Sequence, residues 1–249
     1  MLSCEFAAET DTTKTDRRNY AFDSRKQCMK EGTDGTADRS VRETYDHIAS
    51  HFAATREYPW PEVRSFVAAE VDRLGELDNA IDLGCGNGRH TQLLAENGAS
   101  VVGADVSHGL LKEGQKRASE REFIARWVCA DASRLPLRSD QFTTGVYVAT
   151  IHHLRPRSAR IASLDELARV LTTDGQALVS TWSTEHDRFD ETEGFDTMVD
   201  WTLPGGRTVP RYYHIYDPDE FQSDLDKSTL QTVKMDISSG NCYAVVEPE

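Results

Sequence analysis

The sequence predicts an α/β protein built on a mainly parallel sheet with helices on both faces. Three observations carry that prediction. Short apolar runs at 80–83, 100–104, 124–129, 142–148 and 176–182 alternate with helix-like stretches near 89–97, 108–117 and 157–171, the pattern of strands joined by crossover helices. The first run leads straight into a glycine-rich turn, as at the carboxyl end of a strand in an open sheet. No stretch approaches the ~18 apolar residues that a membrane span needs.

Taken in chain order, residues 1–38 contain no Val, Ile or Trp. They are expected to form a mobile arm, which leaves 39–249 for one domain. Ser40-Val41-Arg42-Glu43 fits a capping box that opens a helix with Val41, Tyr45, Ile48 and Phe52 on one face. Pro61 suits the first position of a second helix, whose Val63, Phe66, Val67, Val71 and Leu74 form one stripe before Gly75. Beyond the alternating centre, 184–210 reads as a polar insertion, 211–216 as an aromatic segment and 218–226 as a short helix. Runs at 229–237 and 241–247 then read as a closing antiparallel pair.

Five scattered cysteines with no C-x-x-C argue against a disulfide framework or a structural zinc site, and no metal ligand set is expected. The first residues lack the basic and apolar regions of a secretion signal, so a soluble cytoplasmic protein without a membrane partner is expected. Net charge is −14, from 42 acidic and 28 basic residues. That balance opposes broad affinity for nucleic acid. Yet the excess of Arg over Lys, 21 to 7, together with the abundant Asp also fits solubility in high salt. A local arginine cluster therefore says more about a partner than the total does.

The chemistry starts at Asp82-Leu83-Gly84-Cys85-Gly86-Asn87-Gly88. Gly84, Gly86 and Gly88 let the backbone turn sharply and approach a ligand closely. The third glycine comes one residue too early for the dinucleotide pattern. Asp82 before the turn would repel a pyrophosphate but attract an ammonium group. Asp105 ends the next strand, where a carboxylate can accept from both ribose hydroxyls. Asp131 closes the third strand, within reach of an adenine amino group. Singly, such a turn is often only a connection and such an acid only a helix cap. At successive strand ends they fit a cationic adenosyl ligand.

Over residues 79–182 this assembly resembles the class I S-adenosylmethionine-dependent methyltransferases. Further pieces resemble one narrower family: Tyr45-Asp46-x-Ile48-Ala49-x-x-Phe52 with Arg56 and Pro59-Trp60-Pro61; Ile151-His152-His153; Gly175-Gln176-Ala177-Leu178 with Trp182; Trp201-x-Leu203-Pro204; and Arg211-Tyr212-Tyr213-His214-x-Tyr216. They are similar to the eukaryotic methyltransferases that esterify 5-carboxymethyluridine at the tRNA wobble position, a domain also found fused to AlkB-type oxygenases. The segment before Arg211 is short where eukaryotic members can carry a long basic insertion.

The resemblance implies a Rossmann-like class I fold with seven strands in the order 3-2-1-4-5-7-6 and S-adenosylmethionine as cofactor. It also implies a tRNA anticodon loop as substrate and a small zinc-binding activator paired with the 123–128 edge strand. A carboxymethyl group, with a pKa near ~4, is already the nucleophile at neutral pH and needs orientation rather than a general base. Arg56, Arg211, His153 and His214 are the candidate donors to it, with His153 the site-facing member of its pair. Trp60, Trp182, Trp201 and Tyr212 are candidate platforms for splayed bases, with a core role as the alternative. Arg155, Arg157, Arg160 and Arg207 join Arg56 and Arg211 as candidates for an RNA-facing surface. Two other readings are a methyltransferase for a small metabolite or lipid-like acceptor and a non-catalytic S-adenosylmethionine-binding regulator. The three acids argue against the second of these.

Overall fold

A computed structural model describes residues 36–249, with side chains from Val41 onward. The arm expected over 1–38 lies outside them except for its last three residues, which are already helical. Helix α1 (Thr36–Thr55) begins four residues before Ser40, so Ser40 is an interior residue and not the cap. Nothing in Thr36-Ala37-Asp38-Arg39 breaks a helix, and the turn simply continues upstream.

Helix α2 (Pro61–Leu74) starts on Pro61 and stops at Gly75, whose φ of 84° accommodates the chain reversal. Its stripe holds at Val63, Phe66 and Val67, but Leu74 is exposed and Glu70 is buried instead. The Glu70 carboxylate is satisfied by Arg73 at 2.6 Å and 2.8 Å, which is how an acid takes an apolar position.

The centre follows as β1 (Asn79–Leu83), α3 (Arg89–Glu96), β2 (Ser100–Asp105), α4 (His108–Glu120), β3 (Ala125–Cys129), β4 (Phe142–Val148), α5 (Arg157–Val170) and β5 (Leu171–Trp182). These five strands run parallel. The segment expected to be a polar insertion instead forms most of a separate two-stranded antiparallel sheet, β6 (Phe195–Thr202) with β7 (Thr208–Ile215). Phe195, Thr197, Val199 and Trp201 share one face of β6, a period of two blurred by the polar Thr197 on that face and by the apolar but exposed Met198 on the other. Helix α6 (Pro218–Leu225), β8 (Leu230–Ser238) and β9 (Asn241–Pro248) close the chain.

The large sheet has the order β3-β2-β1-β4-β5-β9-β8, with β9 antiparallel to β5, as expected. Each central strand is buried on both faces. Ile81, Val102, Leu164 and Leu167 pack on one side; Ala80, Val101, Val63 and Leu94 pack on the other. Truncating a fully buried leucine of this kind costs about 2–5 kcal/mol, so both layers hold the carboxyl edge of the sheet in place. Among the described residues no helix is long and apolar enough to cross a membrane.

Candidate active site

Strand β1 delivers the chain into the glycine turn, and the turn closes by hydrogen bonding to β2. The amides of Gly84 and Cys85 both donate to the Ala104 carbonyl, at 2.7 Å and 3.0 Å. Gly84 has φ of 71°, and a Cβ there would lie 2.1 Å from Thr150 Oγ1. Glycine is therefore required twice over at this position, by conformation and by space. Asp105, at the end of β2, accepts from Gly86 N and Ser107 N, each at 2.8 Å. Burial nevertheless pushes its pKa up to about 6 against those amides. Asp131 accepts from the amide and hydroxyl of Ser133, both at 2.8 Å.

Around these groups opens a cleft whose empty space, including open solvent at its mouth, is about 950 Å³. Gly84, Gly86, Asp105, Asp131 and His153 line it, as does Tyr45 from α1. Two carboxylates face a wall that also contains Val41, Phe52, Leu110 and Leu154, and Arg89 stands in the lining as a cation. Acids for hydroxyl and amino groups, apolar walls for a base and a cation for a carboxylate fit S-adenosylmethionine in both size and polarity.

Asp82 and Gly88 were grouped with this set by the sequence, but neither lines the cleft. Asp82 is fully buried beneath the turn. Its Oδ2 accepts from the Thr91 hydroxyl at 2.6 Å, its Oδ1 has no partner among the described residues, and burial raises its pKa to about 7. Gly88 serves packing. A Cβ there would lie 2.6 Å from the Trp127 ring, and Gly103 and Gly114 approach the same ring so closely that a Cβ would meet it at 3.0 Å and 2.6 Å. Three glycines from α3, β2 and α4 thus enclose the tryptophan of edge strand β3.

The acceptor side is assembled from distant parts of the chain. Tyr45 of α1 reaches His153, in the short 3-10 turn Ile151–His153 after β4, with its hydroxyl 2.8 Å from Nε2. Arg211 of β7 donates through Nη1 to the same hydroxyl at 3.2 Å. Arg211 is 7% exposed, and its Nε is buried with no hydrogen-bond partner. Its guanidinium lies over Trp201 and Tyr213, while Arg56 covers Trp201 and Phe52. Burial, and then the charge of Arg211, lowers the Arg56 pKa. Burial and the charge of Arg56 bring Arg89 down to about 10. None of these three arginines has a carboxylate partner among the described residues.

Strand alternation corrects the grouping of His214 with Arg211. Residues 211 and 213 share one face of β7, while 212 and 214 take the other. His214 is accordingly engaged by Asp196 at 2.7 Å and Glu220 at 2.9 Å, away from the cleft. The candidate base platforms also have packing roles, and none lines the cleft. Trp201 is buried under two guanidinium groups and donates to His51 at 3.0 Å. The buried Tyr212 donates to Asp196. Trp60 lies between Arg89 and Tyr243, and Trp182 packs on Tyr213 and His186. Arg157 and Arg160 pair with Asp224 and Glu220, and Arg160 is buried, so these two are withdrawn from the proposed RNA-facing surface. Arg155 stacks on Tyr212 and Arg207 reaches His47.

Sequence reasoning did not single out Tyr45, Asn87, Arg89 or Thr150 as site residues. Asn87 donates to the carbonyl of Arg56 at 2.9 Å and so ties the glycine turn to the end of α1. Its position inside the turn was the available signal.

Residues 81–179 match a protein family described as a methyltransferase domain. The chain is 33% identical over 184 residues to a tRNA (carboxymethyluridine(34)-5-O)-methyltransferase, alkbh8, of Xenopus tropicalis, covering 74% of this chain and 27% of that protein. It is 25% identical over 230 residues to the enzyme of the same name from Schizosaccharomyces pombe, covering 83% of this chain and 95% of that one. The chain thus spans about a quarter of the length of the vertebrate relatives it matches. Among solved structures, a DhpI complex with SAM superposes with a TM-score of 0.65 at 20% identity, covering 88% of this chain and all of that one.

Proposed function

We propose that the chain is a class I S-adenosylmethionine-dependent methyltransferase, as its similarity to a methyltransferase domain and to the tRNA carboxymethyluridine methyltransferases supports, and that its acceptor is a carboxylate, that of 5-carboxymethyluridine at the tRNA wobble position. The observation that carries this reading is Arg211, a nearly buried guanidinium behind the cleft wall that has neither an Nε hydrogen-bond partner nor a carboxylate partner among the described residues and is joined to the cleft lining through Tyr45 and His153. A buried cation without an anion is destabilising by several kcal/mol, so the site is complementary to an anionic ligand.

When bound, S-adenosylmethionine supplies an electrophilic methyl group on a sulfonium. The chain's residues orient the nucleophile. Arg211, supported by Arg56, offers charge-assisted donors to the acceptor carboxylate while the apolar wall of α1 excludes water. His153 acts as a neutral imidazole, because burial holds its pKa at about 3. No proton has to be removed from a group already ionised at neutral pH.

The same reading gives β3 a role as a partner surface. Among the described residues its outer edge is unpaired, and the adjoining Ile124 is 89% exposed, which suits addition of a strand from a small zinc-binding activator. Protein that is monodisperse and fully active when purified alone would count against that partner. For the reaction itself, mass spectrometry of wobble nucleosides from cells lacking the gene is expected to show loss of the esterified uridine and accumulation of the free acid. Unchanged esterified uridine would move the acceptor to the metabolite class.

A further inference from the structure

We propose that Tyr45 is the positioning residue of the acceptor site, its hydroxyl fixing Arg211 and His153 so that the site selects a carboxylate over the corresponding amide. This rests on the carboxylate reading above and goes beyond it by assigning the selection to α1.

The hydrogen-bond directions are determined. His153 Nδ1 lies 2.8 Å from the Tyr212 carbonyl. A carbonyl only accepts, so Nδ1 carries the proton and Nε2 is a bare acceptor. Tyr45 therefore donates its single proton to Nε2 at 2.8 Å. Its oxygen is left to accept from Arg211 Nη1 at 3.2 Å. The chain runs from guanidinium to hydroxyl to imidazole to backbone, with the Tyr213 hydroxyl also beside that of Tyr45 and all three side chains of the chain buried.

Two consequences follow. The Arg211 guanidinium is tethered through Nη1, which restrains its orientation, while its buried Nε has no hydrogen-bond partner among the described residues. The imidazole, already satisfied at both nitrogens, cannot rotate to offer an N–H to the ligand. The cation is thus the donor group of this chain, and an acceptor presenting oxygens is matched to it. A carbamoyl group keeps one carbonyl oxygen to accept from the guanidinium but loses the negative charge and sets its NH₂ as a donor where the carboxylate offers a second acceptor, and such mismatches discriminate more strongly than size does. Tyr45 itself lines the cleft, and Phe52 and His153 hold its ring edge-on. Loss of the hydroxyl would free Arg211 without removing the ring.

The test uses the full chain loaded with S-adenosylhomocysteine and an anticodon stem-loop RNA bearing either the carboxymethyl group or its amide at the wobble uridine. Binding is read by calorimetry. The wild type is expected to prefer the acid. Tyr45→Phe is expected to lose about tenfold of that preference, the scale of one hydrogen bond to a charged group, a ratio of two RNA affinities taken at saturating S-adenosylhomocysteine. In an Arg211→Ala background, Tyr45→Phe is expected to have no further effect on the preference. Full preference in Tyr45→Phe, or an additive loss in the double variant, overturns the role of Tyr45 while leaving the carboxylate acceptor intact. A wild type that does not distinguish acid from amide overturns the carboxylate reading and this role with it. Should Tyr45→Phe lose the cofactor product, Tyr45→4-fluorophenylalanine fills the hydroxyl's space without a proton to donate, and the same loss of preference is expected.

Discussion

The two halves of the candidate active site, a proposed cofactor side and a proposed acceptor side, are built differently. On the cofactor side the groups that matter are backbone turns and carboxylates at the ends of adjacent parallel strands, held by hydrogen bonds such as Gly86 N to Asp105 and Ser133 N to Asp131. On the acceptor side they are long side chains converging from α1, from the turn after β4 and from β7. Tyr45 and His153 are 108 residues apart in sequence, and Tyr45 and Arg211 are 166 apart. A parallel sheet supplies the first arrangement by its topology, because every strand ends at the same edge. The second exists only once the β6–β7 sheet and α1 have packed around Trp201.

The sharpest way to separate the halves is to damage one and measure the other. Gly84→Ala carries the largest expected effect. Positive φ and the Thr150 side chain both oppose a methyl group there, and strain plus overpacking of this size predicts a loss of S-adenosylmethionine affinity of about a hundredfold or more. Calorimetry measures it directly. Binding within about threefold of wild type would mean that the turn yields and that the cofactor is held elsewhere. Arg211→Ala is the complementary change. It is expected to lower kcat/KM for the acceptor by about a hundredfold, the scale of a lost charge-assisted contact, while affinity for S-adenosylhomocysteine stays level. A parallel fall in both would show that the two sides do not act as separate modules.

The contrast also governs what the sequence reveals. The turn, Asp105 and Asp131 are local patterns, readable from a run of apolar residues and the residue that ends it, whereas the strand order comes from the family resemblance. His153 was legible because a strand end points to it. The β6–β7 pair was not: its alternation is carried by Thr197, Val199 and Trp201 among acids, and only tertiary burial distinguishes the two faces. That missed alternation is also why His214 was grouped with Arg211. Gly88 was misassigned for another reason. Its closeness to a ligand and its closeness to Trp127 leave the same mark in the sequence, a glycine, and the ring that requires it lies on a different strand.

A smaller effect sharpens the comparison through pH. Burial raises Asp105 to about 6 and Asp82 to about 7, above the ~4 of an unfolded carboxyl. The folded state therefore retains these protons to higher pH than the unfolded chain. Their contribution to stability is complete below pH ~4 and is lost as pH rises through about 6 and 7. Without ligand, this part of the thermal midpoint declines over that window. A cationic ligand reverses the preference by favouring the ionised carboxylates, so S-adenosylmethionine binding is expected to tighten several-fold between pH 5.5 and 7.5. Asp105→Asn should weaken binding and flatten part of that slope. A slope unchanged in Asp105→Asn assigns it to Asp82 alone. On the acceptor side His153 remains neutral throughout this range, because burial holds its pKa at about 3.

The smallest effect is expected where β7 turns its other face. Asp196 receives hydrogen bonds from His214 and Tyr212, yet its side chain is 64% exposed. An ion pair open to water on one side contributes at most about 1 kcal/mol, and Glu220 remains to hold the second nitrogen of His214. Asp196→Asn is therefore expected to leave both S-adenosylmethionine affinity and acceptor kinetics unchanged. The midpoint of thermal unfolding should fall by less than about 4 °C. A tenfold loss of methyl transfer with cofactor binding intact would instead connect the outer face of β7 to the acceptor. Arg211 and His214 would then act through one strand despite pointing in opposite directions, and the division between a catalytic face and a structural face of that strand would fail.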